Sequence, residues 1–269
     1  MSIQAILLAL ALSLAAAIPQ KAAVQQKPAS GSAPTGTLRA AFLATNPVQG
    51  RIDPQTGAVT GPVADLAGEL ARRLGVPVTL LPEPNPAAVI ERVKNHQADI
   101  GFLAYEAARA TQVEFSDPYA LVASAYLVRS DSPLKTSAEV DRAGVTIGAA
   151  KGQSQEIFLS ANIKRARVDV LAETPPQDAM ILMVTNGKID AFGANRQRLE
   201  DAARASTQVR VLPDNFLMIA QAVVVDKGDA ARLAEVNRFI AEVRESGFVK
   251  SSLERAKLAG VEVAPAPAR

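Results

Sequence analysis

The chain of 269 residues contains no cysteine and no tryptophan, and it has a single histidine. Without a thiol there is no disulfide framework, no thiolate nucleophile and no zinc–thiolate site. One histidine also excludes a histidine-rich metal site. The net charge is only +2, and no lysine and arginine cluster is interleaved with aromatic residues, so nucleic acid is not an expected partner. We expect neither a metal nor another cofactor.

The N-terminus also lacks something, because no lysine or arginine precedes its apolar run from Ile3 to Ile18. The run is too short for a comfortable membrane span, and small residues follow it. This pattern predicts a signal peptide over residues 1–24, with an uncleaved anchor as the alternative. A lipoprotein anchor is excluded because it needs a cysteine. Residues 25–36 read as a disordered spacer, and residues 263–269 as a loose tail.

A repeat is present in the remaining chain. Residues 76–100 align without a gap onto residues 167–191, with seven identities in 25 columns, where ordinary composition gives about two. Any two strand–helix units share part of such a pattern, so the repeat does not prove duplication. Either interpretation predicts one strand–helix–strand unit built twice.

Strands and helices alternate along both halves, which predicts an α/β protein with parallel sheets flanked by helices. The apolar run over residues 120–130 is long and rich in β-forming residues, and it could cross from one lobe to the other. Helices are predicted to begin at Asp65, Ser154, Pro175 and Asn195. The predicted strands cover residues 37–44, 76–81, 98–104, 145–150, 168–172, 189–194, 209–213 and 222–225.

Six segments carry a resemblance to a known family. They are, in chain order, LARRLGVPVTLLP, VKNHQADIGF, ARATQVEFSDPYA, VTIGAAKGQSQEIFL, NGKIDAF and VVVDKGDAARLAEVNRFIAEVRESG. In this order and spacing, over residues 37–258, the chain resembles the periplasmic solute-binding proteins of ABC transporters, of the polar amino-acid-binding (family 3) type. The resemblance implies the two-lobed periplasmic-binding-protein (Venus flytrap) fold, in which each lobe is a mainly parallel sheet flanked by helices and two hinge strands join the lobes.

Carried onto this chain, the resemblance places lobe 1 at residues 37–119 plus 221–262 and lobe 2 at residues 123–218. It implies a monomeric, non-enzymatic periplasmic receptor. The receptor would capture a small carboxylate-bearing polar solute, either an amino acid or a related organic acid. Lobe closure would hold the solute for an ABC permease. The alternatives are a dehydratase-like enzyme on the same fold and a ligand-sensing or partner-binding module.

The resemblance assigns the carboxylate clamp to Arg109, whose planar guanidinium suits a bidentate carboxylate. The alternative is a surface arginine paired with Glu106 or Glu114. The loop Gly152–Ser154, which includes Gln153, is expected to contact the same carboxylate, because helix-start N–H groups bind anions. Ser154 could instead be a plain N-cap of the following helix.

Three parts of the chain depart from the family pattern: Asn195, residues 104–106 and the loop after the first strand. Asn195 stands where amino-acid binders usually have an aspartate for the ligand ammonium, and it is an equally good N-cap. Ala104, Tyr105 and Glu106 replace a usual Ser-x-Thr. Glu106 could supply an anion for an ammonium from another side, and it is the one remaining acid for a dehydratase.

The loop after the first strand usually supplies an aromatic lid. Here it has Asn46, with Phe42 slightly earlier. Lys151 and Arg196 lie near the predicted crevice, so a second acidic group on the ligand is conceivable, although both could be solvated charges. These departures weaken the amino-acid assignment more than they weaken the assignment of a binding protein.

Overall fold

The computed structural model describes residue 31 and residues 33–266, so the predicted signal peptide and most of the spacer lie outside the described residues. Within the described part of the chain, no helix combines the length and the apolarity needed to cross a bilayer.

Lobe 1 is built on three parallel strands covered by helices. The strands are β1 (Leu38–Leu43), β4 (Val78–Glu83) and β5 (Ile100–Ala104), and β1 lies between the other two. A small hairpin, β2 (Arg51–Ile52) and β3 (Val59–Thr60), follows β1. The helices are α1 (Pro62–Leu74), α2 (Pro86–Lys94), α3 (Ala107–Ala110), α7 (Ala230–Glu245) and α8 (Phe248–Ala256).

Lobe 2 repeats this plan. Its parallel strands are β7 (Thr146–Ala150), β8 (Arg167–Leu171) and β9 (Ala191–Asn195), with β7 in the middle. Its helices are α4 (Ser154–Asn162), α5 (Gln177–Thr185) and α6 (Arg196–Ala205), and a 3₁₀ turn covers Ser137–Val140. A short strand, β10 (Val209–Val211), pairs at its edge.

Two long antiparallel strands join the lobes. They are β6 (Val113–Arg129) and β11 (Leu217–Asp226). They pair with each other and connect the two parallel halves into one sheet of order β4-β1-β5-β11-β6-β9-β7-β8. This confirms the two hinge strands that the resemblance implies. The segment FSDPY lies inside β6, which begins at Val113, earlier than the run over residues 120–130 indicated.

The buried side chains support two separate cores. They form four hydrophobic clusters in the described residues, and two of these lie in each lobe. One lobe 1 cluster includes Phe42, Leu66 and Ile240, and one lobe 2 cluster includes Met180 and Phe192. Because no cluster mixes the two lobes beyond the hinge strands, each lobe can move as a packed unit.

The sequence repeat has a structural counterpart. Helix α5 lies 91 residues after α2 at both ends, and β9 lies 91 residues after β5. The two aspartates at equivalent repeat positions accept equivalent hydrogen bonds. Asp99 accepts a hydrogen bond from the backbone N–H of Arg39 at 2.8 Å, and Asp190 accepts one from the backbone N–H of Thr146 at 2.8 Å. Each aspartate therefore ties the turn before one strand to the start of the strand beside it.

The predicted helix starts need two corrections. Helix α1 begins at Pro62, since proline is favoured in the first turn and needs no N–H partner, and Asp65 lies within that turn. Helix α5 begins at Gln177 with Pro176 at the N-cap position, two residues after Pro175.

Two predicted loose segments are partly ordered. Residues 263–265 lie at the hinge, where Val263 belongs to β12 (Val261–Val263), which pairs with β6, and the Ala264 N–H donates to the Tyr119 carbonyl at 3.2 Å. At the other end, Ala33 is fully buried in the lobe 1 core. The expectations of a loose tail from residue 263 and a disordered spacer to residue 36 are therefore wrong for these residues.

Candidate functional site

The cleft between the lobes lies beyond the carboxyl ends of the parallel strands, where loops and helix N-termini converge. From lobe 1 come the loop after β1, with Thr45 and Asn46, and helix α3 after β5. From lobe 2 come the loop between β7 and α4 and the junction of β9 with α6 at Asn195. Among the described residues, three hydrogen bonds between a side chain of one lobe and an atom of the other cross this region, and two more cross at its edge.

Arg109 spans the cleft. Its side chain is in lobe 1, the residue is 6% exposed, and one guanidinium nitrogen donates to the Ala104 carbonyl at 2.8 Å. The other donates to the Gly152 carbonyl of lobe 2 at 2.7 Å. Among the described residues no carboxylate forms an ion pair with it, which is contrary to the alternative of a surface arginine paired with Glu106 or Glu114. Burial lowers the pKa of the Arg109 guanidinium, and the nearby Glu106 opposes that shift.

The start of α4 forms the facing wall. Gly152 has φ +73°, a left-handed conformation that favours glycine, and its N–H donates to the Glu156 carboxylate at 3.0 Å. Gln153 holds the N-cap position without a side-chain capping bond, and its amide nitrogen lies 3.4 Å from the Thr174 hydroxyl. Ser154 is therefore not the N-cap. It is the first helical residue, 3% exposed, and its hydroxyl has no hydrogen-bond partner among the described residues.

Two asparagines meet across the cleft. The Asn195 side-chain amide nitrogen donates to Asn46 Oδ1 at 3.1 Å, joining lobe 2 to lobe 1. Asn46 Oδ1 also accepts from the Val48 N–H at 3.1 Å. Asn195 Oδ1 accepts from the Arg198 N–H at 3.0 Å, so Asn195 is the N-cap of α6, as one of the two interpretations predicted. The structure thus brings together two of the positions that depart from the family pattern.

Arg198 was missed in the sequence. It donates from one guanidinium nitrogen to the Thr45 carbonyl of lobe 1 at 3.2 Å, and from the other to the Pro175 carbonyl. Its Nε is buried without a hydrogen-bond partner in the described chain. Burial lowers the pKa of the Arg198 guanidinium, and Asp201 opposes the shift. The sequence did contain a signal that Arg198 is unusual, because this cation lies in the first turn of a predicted helix, where a positive charge opposes the helix dipole.

Asn46, Gln153, Asn195 and Arg198 border a small cavity of about 30 Å³, whereas Arg109, Gly152 and Ser154 are not among its lining residues. That volume holds one or two water molecules, so a solute of amino-acid size requires the lobes to part. The lining residues come from both lobes and are mostly polar or small: Thr45, Asn46, Ala150, Gln153, Gln155, Thr174, Phe192, Gly193, Ala194, Asn195 and Arg198.

Comparison with known proteins identifies the family. The model of the bacterial extracellular solute-binding proteins, family 3, matches residues 38–256. The chain belongs to this family. Proteins of family 3 are extracytoplasmic binding proteins, and the two-lobed α/β fold agrees with that membership.

The relatives of this family 3 protein include binding proteins and an enzyme. The L-cystine-binding protein of Escherichia coli (strain K12) is 24% identical over 204 residues, 74% of this chain and 74% of that protein. The cyclohexadienyl dehydratase of Pseudomonas aeruginosa is 24% identical over 212 residues, 74% of this chain and 75% of its own. A lysine-complexed putative binding component of an ABC transporter from Wolinella succinogenes shares the fold, with TM-score 0.71 and 24% identity over 82% of this chain and 95% of that one.

Two of the predicted site residues of the family 3 protein lie elsewhere. Phe42, a candidate ligand-binding residue, is 0% exposed in the lobe 1 core, because both faces of its parallel strand are covered, and it does not line the cavity. Glu106 holds the N-cap position of α3 without a capping bond and does not line the cavity. Ala104 contributes its carbonyl to Arg109.

The two extra cations named in the sequence also lie outside the cavity. Lys151 is exposed. Arg196 is tied to its own lobe, where it donates to the carbonyls of Leu212, Pro213 and Asp214 at 3.0–3.1 Å. Within the described residues no group of histidine, cysteine, aspartate or glutamate side chains is arranged to hold a metal ion.

Two further contacts cross between the lobes at the edge of the cleft. Arg51 of the β2–β3 hairpin donates to Asp201 of α6 at 2.6 Å. Asp201 also accepts from the Gln197 amide at 2.9 Å, and Gln197 Oε1 accepts from the Ala259 N–H at 2.5 Å. Helix α6 therefore touches lobe 1 at its first turn, through Arg198, and again along its side.

Proposed function

We propose that this protein is an extracytoplasmic receptor that captures a small carboxylate-bearing polar solute, an amino acid or a related organic acid, and delivers it to an ABC permease. The observation that carries this proposal is the Arg109 side chain, which is buried in lobe 1 and donates to the Gly152 carbonyl of lobe 2 at 2.7 Å. A cation held at the seam between two separately packed lobes is suited to an anionic solute that both lobes contact at once.

The mechanism is lobe closure. Arg109 donates to neutral carbonyl groups, whereas hydrogen bonds to a carboxylate are roughly twice as strong. A solute carboxylate would replace those carbonyls as the acceptor. Because the solute contacts both lobes only when they meet, its differential affinity favours the closed form. A carboxylate pair and several neutral hydrogen bonds sum to about −8 kcal/mol, which is about micromolar affinity.

The remaining site residues take supporting roles in this proposal. In the loop Gly152–Ser154, the Gly152 N–H donates to the Glu156 carboxylate and the Gln153 N–H donates to the Ala150 carbonyl. The solute carboxylate held by Arg109 would replace these acceptors at the start of α4. Asn195 and Asn46 would hydrogen-bond neutral or polar groups of the solute, after exchanging their mutual bond for bonds to it. The permease would then recognise the closed arrangement.

We also propose the organisation of the chain. The signal peptide covers residues 1–24 and directs the protein to the periplasm, where it acts as a monomer. Lobe 1 comprises residues 37–119 and 221–262, and lobe 2 comprises residues 123–218. The four hydrophobic clusters and the hinge strands support these bounds, and the extracellular location of family 3 supports the compartment.

Binding without turnover is the activity we propose. The dehydratase alternative needs an acid in the cleft, and the candidate, Glu106, does not line the cavity. A relative named as a dehydratase makes turnover worth measuring directly. Steady conversion of a cyclic acid by the purified protein would favour the enzyme instead.

Arg109→Gln tests the clamp. A carboxylate solute at 100 times its dissociation constant adds about 2.7 kcal/mol of stability to the wild type, which a thermal-shift assay detects. The variant should lose at least about 30-fold in affinity by calorimetry, since one partner of a buried charged pair is removed. Arg238→Gln, an exposed arginine on α7, is the matched control and should bind as the wild type does. An unchanged affinity in Arg109→Gln contradicts the assignment.

A further inference from the structure

We propose that the solute carries two carboxylate groups and no ammonium group, and that Arg198 binds the second carboxylate. This inference rests on the proposed function, because it names the chemical class of solute for the same cleft. It follows from the charges that line the cavity and from the environment of Arg198.

Within the described residues, the lining of the cavity carries positive charge and no negative charge. Among its lining residues in the described chain, Arg198 is the only charged one, and the others are amides, hydroxyls, small residues and one phenylalanine. Arg109 lies beside the same cavity, because its partner Gly152 directly precedes the lining residue Gln153. An ammonium group in this cavity would meet the Arg198 guanidinium and no carboxylate among the lining residues that the structure describes, whereas a dicarboxylate would place one group against Arg198 and the other toward Arg109.

Arg198 is unfavourably placed for a merely structural residue. It occupies the first turn of α6, where a positive charge opposes the helix dipole, and no acidic residue lies in that turn to offset it. No carboxylate of the described chain lies within 4.0 Å of its guanidinium, although Asp201 follows three residues later on the same helix. Residues that go against the local preferences of a helix, as this arginine does, are expected at functional sites.

The hydrogen bonds of Arg198 leave one of its donors without an acceptor among the described residues. Its two terminal nitrogens donate to neutral carbonyls, of Thr45 in lobe 1 and Pro175 in lobe 2, and its buried Nε–H has no partner. A carboxylate accepts from Nε and one terminal nitrogen together, in a planar bidentate pair. Such a group would satisfy the unpaired Nε and replace a neutral acceptor with a charged one.

The proposed solute also agrees with the dimensions of the cleft. The closed cavity of about 30 Å³ is too small for a dicarboxylate, so the contacts that cross it must give way when one binds. The contacts that would give way are the bonds of Arg109 to Gly152 and of Arg198 to Thr45. Each of these offers a neutral acceptor that a carboxylate can displace.

The test is a calorimetric comparison of defined probes on the full mature protein. The probes are malonate, succinate, glutarate and adipate as dicarboxylates, butyrate as a monocarboxylate, and L-glutamate, L-glutamine and L-arginine as amino acids. We expect a dicarboxylate to bind at least about 10-fold more tightly than butyrate and than L-glutamate, which adds an ammonium group to two carboxylates.

Variants connect this preference to the residue. Arg198→Gln should lose about 30-fold or more for the preferred dicarboxylate while butyrate binding changes little, and Arg198→Lys, which keeps the charge but not the planar fork, should recover only part of the loss. Lys188→Gln changes an exposed cation of the same lobe and is the charge-matched control. Far-UV circular dichroism and the melting temperature without probe show whether each variant is folded.

The outcomes separate the two claims. If L-glutamine or L-arginine binds most tightly, or if Arg198→Gln leaves dicarboxylate affinity unchanged in a folded protein, the dicarboxylate inference is overturned and the receptor proposal stands. If no carboxylate-bearing probe binds to the folded wild type, the inference and the proposed function both fail. Tight dicarboxylate binding that depends on Arg198 supports both.

Discussion

Asn195→Asp should reverse the preference of the site. The asparagine oxygen caps α6 by accepting the Arg198 N–H at 3.0 Å, and an aspartate performs that capping equally well. The amide nitrogen donates to Asn46 across the cleft at 3.1 Å, and that bond is lost. The substitution therefore places a carboxylate in the cavity with little cost to the fold of lobe 2, and it tests whether the neutral side chain determines the class of solute.

The magnitudes follow from charge and distance. A hydrogen bond between a ligand ammonium and the new carboxylate contributes about 1.5–3 kcal/mol, which is about 10- to 150-fold in affinity. A solute carboxylate about 8 Å away is repelled by about 2 kcal/mol at an effective dielectric constant of about 20, or about 30-fold. The ratio of amino-acid affinity to dicarboxylate affinity should therefore rise by a factor of roughly 300 to 5,000.

The assay is calorimetry with L-glutamine and glutarate on the wild type, on Asn195→Asp and on Asn162→Asp. The last variant adds the same charge at the exposed C-terminal end of α4 and should bind both probes as the wild type does. An affinity ratio in Asn195→Asp within about threefold of the wild type would show that residue 195 does not contact the charged part of the solute.

Three other predictions concern stability and are read from urea unfolding curves. Asp99→Ala loses three hydrogen bonds from Arg39 and should cost about 2–3 kcal/mol, while Asp190→Ala loses one from Thr146 and should cost about 1, and equal costs would contradict the comparison. His96→Gly should stabilise by about 0.5–1 kcal/mol, because His96 has φ +53° at the repeat position that Gly187 occupies with φ +73°, and destabilisation would refute this. Two arginines lower the pKa of Glu69 to about 2, so Glu69→Gln should be less stable at pH 7 by under about 1 kcal/mol after solvent screening. That difference should vanish as the pH falls from about 4.5 to about 2, and a constant difference would argue against the ion pair.

The periodic elements could be predicted from the sequence because their patterns are local. The strand–helix–strand units and the N-cap at Asn195 depend on residues a few positions apart, and the structure confirms them. The hairpin β2–β3 is not among the predicted strands, because a strand of two residues shows no alternation of polar and apolar side chains.

The candidate site was less predictable because it is assembled from distant segments. Arg109 could be named from its motif, but the contact with Gly152 joins residues 43 positions apart. Arg198 had a local signal in the first turn of α6, but its contact with lobe 1 could not be predicted, because its partner Thr45 lies 153 positions away. Phe42 was a candidate ligand contact because it is the aromatic residue nearest that loop, and only the packing of α1 on its strand shows that it belongs to the core.

The most direct test of lobe closure uses the absence of cysteine, which allows two labels to be placed without background. Ala87 and Asp178 are exposed and occupy equivalent repeat positions at the starts of α2 and α5, one in each lobe beside the cleft. Spin labels on Ala87→Cys and Asp178→Cys should report, by pulsed electron paramagnetic resonance, a shorter and narrower distance distribution when a calorimetrically confirmed solute is bound. A distribution that is identical with and without that bound solute would contradict closure of the lobes around it.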